Sequence, residues 1–458
     1  MRTRESVTAV IKAYDVRGVI GVDLDADFIR ETGAAFARLM RSEGETTVAI
    51  GHDMRESSPE LSQAFADGVT AQGLNVIHIG LASTDELYFA SGTLECAGAM
   101  FTASHNPAEY NGIKLCRKGA RPVGQETGLA TIIDDLVNGI PAYEGAAGSV
   151  SEQDLLSGYA DYLNDLVDLR AIRPLKVAVD AANGMGGFTV PEVFKGLPLD
   201  IQALYFELDG NFPNHEANPL EPANLVDLQK FVLDTGSDIG LAFDGDADRC
   251  FVIDEKGDPV SPSAICAIVA ERYLQEKPGS TIIHNLITSK SVPEVIAENG
   301  GQAVRTRVGH SFIKNEMANT GAVFGGEHSA HYYFTEFFNA DSGILAAMHV
   351  LAALGGQDKP LSQMMAQYNR YTASGELNSR LANAQAQTER TQAVLDGFAD
   401  RIESIDRLDG VTVELKGTPA WFNVRASNTE PLLRLNVEGT SREEVDALVE
   451  EILGIIRA

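Results

Sequence analysis

The chain has 458 residues, of which 44% are hydrophobic, 22% charged and 7% aromatic. This mixture excludes a collagen, a low-complexity tail and a disulfide-rich miniprotein, and the length predicts about two to four domains. The 36 basic and 65 acidic residues give a net charge of −29, which argues against nucleic acid or an anionic membrane as a partner. The four cysteines lie far apart, as is typical of a reducing compartment. With neither a secretory signal nor an apolar segment of membrane-spanning length visible, we expect a cytoplasmic protein.

Apolar, β-branched segments alternate with helical patterns over most of the chain. This alternation is typical of largely parallel sheets covered by helices, and the pattern starts three times. The sequence therefore predicts three related α/β units. The predicted strands lie at 47–50, 76–79, 98–101, 176–179, 239–243, 281–283 and 303–305, and a predicted helix lies at 58–72.

The last part of the chain has a different pattern. Three predicted strands follow in close succession at 411–415, 421–424 and 432–438. Ser441 and Glu444 then form a capping box ahead of an apolar helical stripe, so we expect an α+β module with antiparallel pairing. Turn-rich segments at 145–148, 254–257 and 355–360 place the domain limits at 1–148, 149–254, 255–360 and 361–458.

A polar loop at 102–107 follows one of the predicted strands directly. The carboxyl ends of strands in an open α/β sheet are where ligands bind. Ser104, with His105 beside it, is therefore a candidate nucleophile or phosphate carrier, and Lys114 is a candidate mobile cation or base. A solvated turn is the alternative, because Ser, Asn and Pro are common turn residues.

Three carboxylates at alternate positions follow the predicted strand at 239–243. Asp244, Asp246 and Asp248 can converge on one divalent cation, which would neutralise their mutual repulsion. An EF-hand is excluded because Arg249 stands where that loop needs glycine and because a strand follows at once. Magnesium is favoured over calcium, and a solvated acidic turn is the alternative.

Two further loops carry polar groups suited to a phosphorylated polyol. Glu327, Ser329 and His331 lie in a glycine-rich turn and suit sugar hydroxyls, although such a turn is often only a turn. Gly309 and His310 are equally ambiguous. The loop at 425–431 lies between two strands and is either a phosphate cradle or a hairpin loop with a surface arginine. Together, the four loops predict transfer of a phosphoryl group within a phosphorylated polyol.

The loops TASHNP, DGDADR, GEHSAH and RASNTEP resemble those of the α-D-phosphohexomutase superfamily, in that order and at that spacing. The bacterial phosphomannomutase/phosphoglucomutase branch is the most similar. The resemblance implies a monomer with four domains around a central cleft: three related α/β domains with mixed sheets and a C-terminal α+β domain. Further matching segments lie at 13–18, 51–59, 209–213 and 308–314.

The resemblance also implies residue roles. Ser104 would be a phosphoserine and would hold Mg²⁺ together with the three aspartates, while Arg17 and Arg249 would flank it and His105 would lie beside it. Lys114 and His310 match the candidates for general acid and base. The implied substrate contacts are Gly309, Glu327, Ser329, His331, Arg425, Ser427, Asn428, Thr429 and, as a further basic residue, Lys290.

The implied reaction is the reversible interconversion of a hexose 1-phosphate and a hexose 6-phosphate, with mannose, glucose or both as the sugar. It would proceed through the phosphoserine and a 1,6-bisphosphate, and glucose or mannose 1,6-bisphosphate would act as activator. A grip on the C3 and C4 hydroxyls by Glu327 and Ser329 would leave C2 unread and so admit both sugars. The alternatives are a phosphoglucosamine mutase, a metal-dependent sugar phosphatase and a non-catalytic sugar-phosphate sensor.

Overall fold

Four β-sheets, each with its own helices, follow one another along the chain. The computed structural model describes residues 2–427 and 431–458, except for the side chains of residues 310 and 311. The first three sheets mix parallel and antiparallel strands, and the fourth is antiparallel. The prediction of three α/β units and an α+β module is confirmed, but antiparallel strands make up more of the sheets than the alternation alone indicated.

The first sheet contains seven strands. They are β1 (Val16–Val19), β2 (Thr47–His52), β3 (Asn75–Leu81), β4 (Ala97–Phe101), β5 (Tyr110–Arg117), β6 (Arg121–Pro122) and β7 (Val150–Glu152). Its helices are α1 (Arg4–Val10), α2 (Ala26–Ser42), α3 (Ser58–Ala71), α4 (Thr84–Thr93) and α5 (Leu129–Asn138). The strand order is β1-β5-β4-β2-β3-β7, and β6 pairs with β5. The strands β4, β2, β3 and β7 are parallel, whereas β5 is antiparallel to its neighbours.

The second sheet has the order β12-β11-β10-β8-β9. Its strands are β8 (Leu175–Asp180), β9 (Leu199–Leu204), β10 (Ile239–Phe243), β11 (Cys250–Asp254) and β12 (Pro259–Val260), and its helices are α6 (Leu156–Leu166), α7 (Gly186–Val193) and α8 (Val226–Thr235). The turn at 254–257 joins β11 to β12 inside this sheet, and β7 belongs to the first sheet. The domain limits drawn near these residues stay a prediction.

The third sheet repeats the arrangement in the order β14-β13-β15-β16-β17. Its strands are β13 (Thr281–Asn285), β14 (Gln302–Thr306), β15 (Phe324–Gly326), β16 (Tyr332–Phe334) and β17 (Ala340–Asp341). Its helices are α9 (Pro262–Glu276), α10 (Ser291–Glu298), α11 (His310–Thr320), α12 (Gly343–Gly355) and α13 (Leu361–Met365).

The fourth sheet has the order β18-β23-β22-β21-β20, and β19 also pairs with β23. Its strands are β18 (Thr372–Ala373), β19 (Leu377–Arg380), β20 (Ile402–Asp406), β21 (Val411–Leu415), β22 (Trp421–Ala426) and β23 (Leu432–Gly439), and its helices are α14 (Ala384–Phe398) and α15 (Arg442–Ile456). Ser441 accepts a hydrogen bond from the Glu444 amide at 3.2 Å and so caps α15, as predicted.

The hydrophobic cores show how these units are joined. One core extends from Ala49 to Tyr368 and contains residues of all three α/β units, so these units pack as one body. The C-terminal unit has a core of its own, between Val394 and Ile456. Polar contacts join it to the third unit, among them the Arg307 side chain donating to the Leu408 carbonyl at 2.9 Å. Because its core is separate, the C-terminal unit can move without disrupting the core that joins the three α/β units.

All four cysteines are buried and free. Within the described part of the chain, none of the helices combines the length and the apolar character that crossing a bilayer requires.

Candidate active site

The loops singled out by the sequence occupy equivalent places in the three α/β units. In each unit the loop follows a strand that has a parallel neighbour on one side and an antiparallel neighbour on the other. The loop leads into the antiparallel neighbour: β4 to β5, β10 to β11 and β15 to β16. The first of these loops carries Ser104, the second carries Asp244, Asp246 and Asp248, and the third carries residues 327–331. Packing of the three units therefore brings three chemically different loops to one cavity.

Ser104 is in direct contact with the aspartate loop. Its hydroxyl donates a hydrogen bond to Asp244 Oδ2 at 2.9 Å, although the two residues are 140 positions apart. Its backbone is in the left-handed region with φ of +50°, which is uncommon for a residue other than glycine and is typical of functional sites. The Ser104 amide donates to Thr102 Oγ1 at 2.9 Å, which helps to hold this conformation.

The three aspartates form a compact, buried cluster that fits a divalent cation. One carboxylate oxygen from each of Asp244, Asp246 and Asp248 lies within 4.8 Å of the others. Asp246 Oδ1 and Asp248 Oδ1 are buried and make no hydrogen bond to any residue that the structure describes. Buried carboxylate oxygens are rarely left unpaired in proteins, and hard oxygen donors are the ligands that Mg²⁺ prefers.

Two cationic side chains already balance part of this negative charge. Arg249 donates from Nε to Asp244 Oδ2 at 2.8 Å, and Lys114 Nζ donates to Asp246 at 2.6 Å and to Asp248 at 2.5 Å. Burial raises the pKa of Asp244 to about 7, an effect that Arg249 opposes. Burial acts in the same direction on Asp246, but Lys114, the Thr84 hydroxyl and Arg249 together outweigh it and lower the pKa of that carboxyl. Burial would also discharge Lys114, yet the two aspartates raise its pKa well above its usual value, so this side chain is an ammonium.

His105 and Arg17 lie on the other side of Ser104. Burial lowers the pKa of His105, and the nearby charges of Arg249 and Arg17 lower it further, so the imidazole is neutral. Its Nδ1 lies 3.1 Å from Ser104 Oγ and 2.5 Å from Arg249 Nη2. Arg17 donates to Asn106 Oδ1 at 2.6 Å and pairs with Asp15 at 2.7 Å.

A cavity of about 200 Å³ opens beside these groups. It contains groups from the first, second and third units, whereas a cleft shared with the C-terminal unit, as the resemblance implied, stays a prediction. Its lining consists of Tyr14, Asp15, Arg17, Tyr88, Ser104, His105, Lys114, Leu115, Pro122, Asp248, Arg249, His331 and Asp341.

The structure adds Asp341 and Lys314 on the third unit's side, next to the predicted residue His331. His331 Nε2 lies 3.8 Å from Asp248 Oδ1, and Asp341 is close enough to both that the three could share an ion. Asp341 pairs with Lys314 at 2.8 Å, and both side chains are buried. Lys314 Nζ lies 4.1 Å from the centre of the Tyr88 ring on α4. The sequence indicated no role for Asp341 or Lys314, because these residues and His331 come from separate elements and acquire a common location only in the folded chain.

Thr84, the first residue of α4, is a further addition to the site. Its hydroxyl donates to Asp246 Oδ2 at 2.5 Å, and its amide donates to the Asp246 carbonyl at 3.1 Å. The first unit therefore orients a carboxylate of the second unit. Nothing in the sequence indicated this contact.

Glu327 is held by protein donors in this structure. Oε1 accepts from the Tyr333 hydroxyl at 2.6 Å, and Oε2 accepts from Asn285 Nδ2 at 3.2 Å and from the Gly309 amide at 3.1 Å. Ser329 Oγ lies 3.0 Å from His331 Nδ1. The contact of Glu327 and Ser329 with a sugar stays a prediction.

Arg425 lies at the end of β22, opposite Arg434 on β23. Glu376 lies between them, 3.3 Å from Arg425 Nη2 and 3.4 Å from Arg434 Nη1, and Asp409 is 3.8 Å from Arg425 Nη1. Ser427 follows on the same loop. The predicted phosphate ligands Asn428 and Thr429 lie outside the described residues, as does the side chain of His310; the backbone of His310 begins α11.

Lys290 lies in the loop after β13, where the third unit meets the C-terminal unit. Its Nζ lies 3.2 Å from the Pro419 carbonyl and 3.4 Å from Glu414, and its amide donates to Glu438 at 2.9 Å. It lines a separate cavity between the third and C-terminal units. The contact of Lys290 with substrate stays a prediction.

Comparison with known proteins agrees with this architecture. Sequence models of the phosphoglucomutase/phosphomannomutase family match along the chain: alpha/beta/alpha domain I at 8–141, domain II at 157–257, domain III at 261–371 and the C-terminal domain at 376–455.

Individual relatives match over nearly the whole length. A phosphomannomutase from Salmonella montevideo is 37% identical, with 98% of each chain covered. A phosphoglucomutase from Neisseria gonorrhoeae is 35% identical over 98% of this chain and 97% of its own length. The crystal structure of a phosphoglucomutase/phosphomannomutase family protein from Burkholderia thailandensis is similar with a TM-score of 0.90 and 30% identity, covering 100% of this chain and 98% of that one.

The fold and the site define an enzyme that moves phosphate within a sugar phosphate, an isomerase. The chain belongs to the phosphoglucomutase/phosphomannomutase family, and the resemblance seen in its loops is confirmed.

Proposed function

We propose that the protein interconverts the 1-phosphates and 6-phosphates of mannose and glucose, with Ser104 as the phosphate carrier and a 1,6-bisphosphate as the intermediate. The observation that carries this proposal is the position of Ser104. Its hydroxyl lies 2.9 Å from Asp244, at a cavity that Arg17, Lys114 and Arg249 also line. Phosphoryl transfer depends mainly on positioning and on neutralising charge, and these residues supply both.

In the proposed reaction, phospho-Ser104 gives its phosphoryl group to the free hydroxyl of a hexose monophosphate. The bond from phosphorus to Ser104 Oγ breaks as Oγ takes a proton from Lys114, and a bond from phosphorus to the sugar oxygen forms as that hydroxyl gives its proton to His310, the other candidate for acid–base work. The bisphosphate then turns end for end, and Ser104 takes the other phosphate. Lys114 is an ammonium, so it suits the role of a proton donor to the leaving oxygen better than that of a base.

The aspartate cluster would hold Mg²⁺ together with the Ser104 oxygen, and the ion would add positive charge next to the transferring phosphoryl group. Arg17 and Arg249 lie within the same cavity and can neutralise the remaining charge of the phosphate.

The phosphate that does not react would bind at Arg425, in the C-terminal unit. Glu376 and Asp409 occupy its guanidinium in this structure, so a bound phosphate would replace carboxylates as the partner. The separate core of that unit allows it to close over the cleft and exclude water during each transfer. A monomeric state and a cytoplasmic location belong to this proposal as well.

The proposal is tested with Ser104→Ala, which deletes the carrier oxygen. We expect turnover of glucose 1-phosphate and mannose 1-phosphate to fall at least ~10³-fold, and intact-mass measurement to show that the variant takes no phosphate from glucose 1,6-bisphosphate. Ser42→Ala, at the exposed end of α2, is the control and should retain full activity.

Several results would contradict the proposal. Near-normal activity of Ser104→Ala would show that another residue carries the phosphate. Release of inorganic phosphate without any need for the bisphosphate would indicate a sugar phosphatase, and a strong preference for glucosamine phosphates would indicate a phosphoglucosamine mutase. A difference in kcat/KM between glucose 1-phosphate and mannose 1-phosphate above roughly a thousandfold, or about 4 kcal/mol, would exclude the dual specificity.

A further inference from the structure

Arg55 is a fully buried arginine behind the Ser104 loop. Its guanidinium donates to four backbone carbonyls of that loop and of the following strand. These are Ser104 O at 3.0 Å, Asn106 O at 2.7 Å, Pro107 O at 2.8 Å and Tyr110 O at 3.0 Å. The side chain is 1% exposed, and Arg55 does not line the cavity beside Ser104.

The surroundings of Arg55 fix its guanidinium in place. Asp53 forms an ion pair with Arg55 Nε at 3.2 Å and is itself held by the Ser58 hydroxyl at 2.6 Å. From the second unit, the Phe212 ring lies 5.1 Å from the guanidinium carbon. Any side chain at Gly210 would place its Cβ 2.7 Å from the Arg55 Cα, so the second unit also approaches this residue closely.

The loop that Arg55 holds is one that needs external support. Ser104 has φ of +50°, a conformation that a residue with a side chain adopts only when its surroundings impose it. Four carbonyls turned toward the protein interior also require donors, since buried carbonyls without a partner are costly. A guanidinium supplies several donors in one rigid plane, whereas an ammonium presents its protons around a single point.

We propose that Arg55 is a positioning residue for phosphoryl transfer: its guanidinium holds the Ser104 loop so that Oγ faces Asp244 and the cavity. This inference rests on the proposed role of Ser104 as the phosphate carrier. Arg55 acts through the loop backbone and from behind it, and the substrate phosphate is bound elsewhere. Its removal should therefore reduce the rate of transfer much more than it weakens substrate binding.

The test compares Arg55→Lys and Arg55→Ala with the wild-type protein. We expect kcat to fall at least about 10-fold in Arg55→Lys and about 100-fold in Arg55→Ala, because small misplacements of a reacting group slow the transfer. KM for glucose 1-phosphate should stay within about threefold of the wild-type value. The rate at which Ser104 gains phosphate from glucose 1,6-bisphosphate, followed by intact mass, should fall by the same factors. Asp53→Asn, which keeps the four donors but removes the ion pair, should lower both rates in the same direction by a smaller factor.

Arg38→Lys is the matched control, because Arg38 is another arginine of the first unit and pairs with Asp135 at 3.1 Å. It should leave kcat unchanged. Each rate is expressed per folded molecule, and the folded fraction is measured by thermal unfolding. If neither Arg55 variant folds, Asp53→Asn serves as the test.

Two outcomes separate this inference from the function on which it rests. If wild-type Ser104 takes no phosphate from glucose 1,6-bisphosphate, the proposed function fails. The role of Arg55 is refuted, while the role of Ser104 stands, if the wild-type protein is phosphorylated and the folded variants gain phosphate at the wild-type rate. The same conclusion follows if KM rises in the variants by as large a factor as kcat falls.

Discussion

Replacement of Glu86 by Gln should stabilise the protein, and the gain should grow as the pH rises. Glu86 lies in the first turn of α4 and is 1% exposed. Its Oε2 is buried without a hydrogen bond to any described residue. Burial, reinforced by the charge of Asp85, raises the pKa of this carboxyl from 4.5 to about 8. The folded protein therefore keeps a proton at neutral pH that the unfolded chain releases.

The magnitude follows from this difference in protonation. Between about pH 4.5 and 8 the folded state binds one proton more than the unfolded state, so the free energy of unfolding falls by about 1.4 kcal/mol per pH unit. The stability that the wild-type protein loses in this way is zero below pH 4.5 and at most about 5 kcal/mol at pH 8. Glutamine has nearly the same shape and does not titrate. The stability difference between Glu86→Gln and wild type should therefore grow by up to about 4 kcal/mol between pH 5 and pH 8.

Urea unfolding of both proteins at pH 5 and at pH 8 measures this difference directly. All other titrating groups are shared, so subtracting the two curves isolates the contribution of residue 86. Glu60→Gln, at an exposed position in the first turn of α3, is the control and should show no growth with pH. An advantage of Glu86→Gln that is the same at both pH values would refute the reasoning.

Two further predictions concern the site itself. Thr84→Val removes the hydroxyl that donates to Asp246 at 2.5 Å. The concentration of Mg²⁺ needed for half-maximal activity should therefore rise about 10- to 100-fold. An unchanged Mg²⁺ requirement would show that Thr84 does not orient the aspartate. Arg425→Ala should raise KM for hexose phosphates at least about 10-fold and change kcat less, whereas Arg401→Ala, at an exposed arginine of the same unit that pairs with Glu451 at 2.9 Å, should leave KM near its wild-type value. An equal effect of these two substitutions on KM would contradict the phosphate anchor at Arg425.

The elements and loops of the site could be predicted because their signals are local. The strand at 239–243 and the strand at 411–415 were found with the bounds that the structure has, since alternation and β-branched side chains act over a few residues. Ser104 and the aspartates were found because a polar loop directly after an apolar strand is visible without knowledge of the fold. The resemblance to a known family then supplied the expectation that these loops meet, which neighbouring residues alone could not.

The particular contacts within the site were decided by the tertiary structure. Ser104 reaches Asp244 across 140 residues, and Arg55 reaches the carbonyls of a loop about 50 residues further on. Thr84 became part of the site only when separate sheets packed together. Helical and strand patterns record which side of an element is apolar, whereas the partner of a polar side chain depends on how whole units fit against one another. The sequence by itself thus determined the chemical groups and the strands that carry them, and packing of the units determined which groups share a cavity.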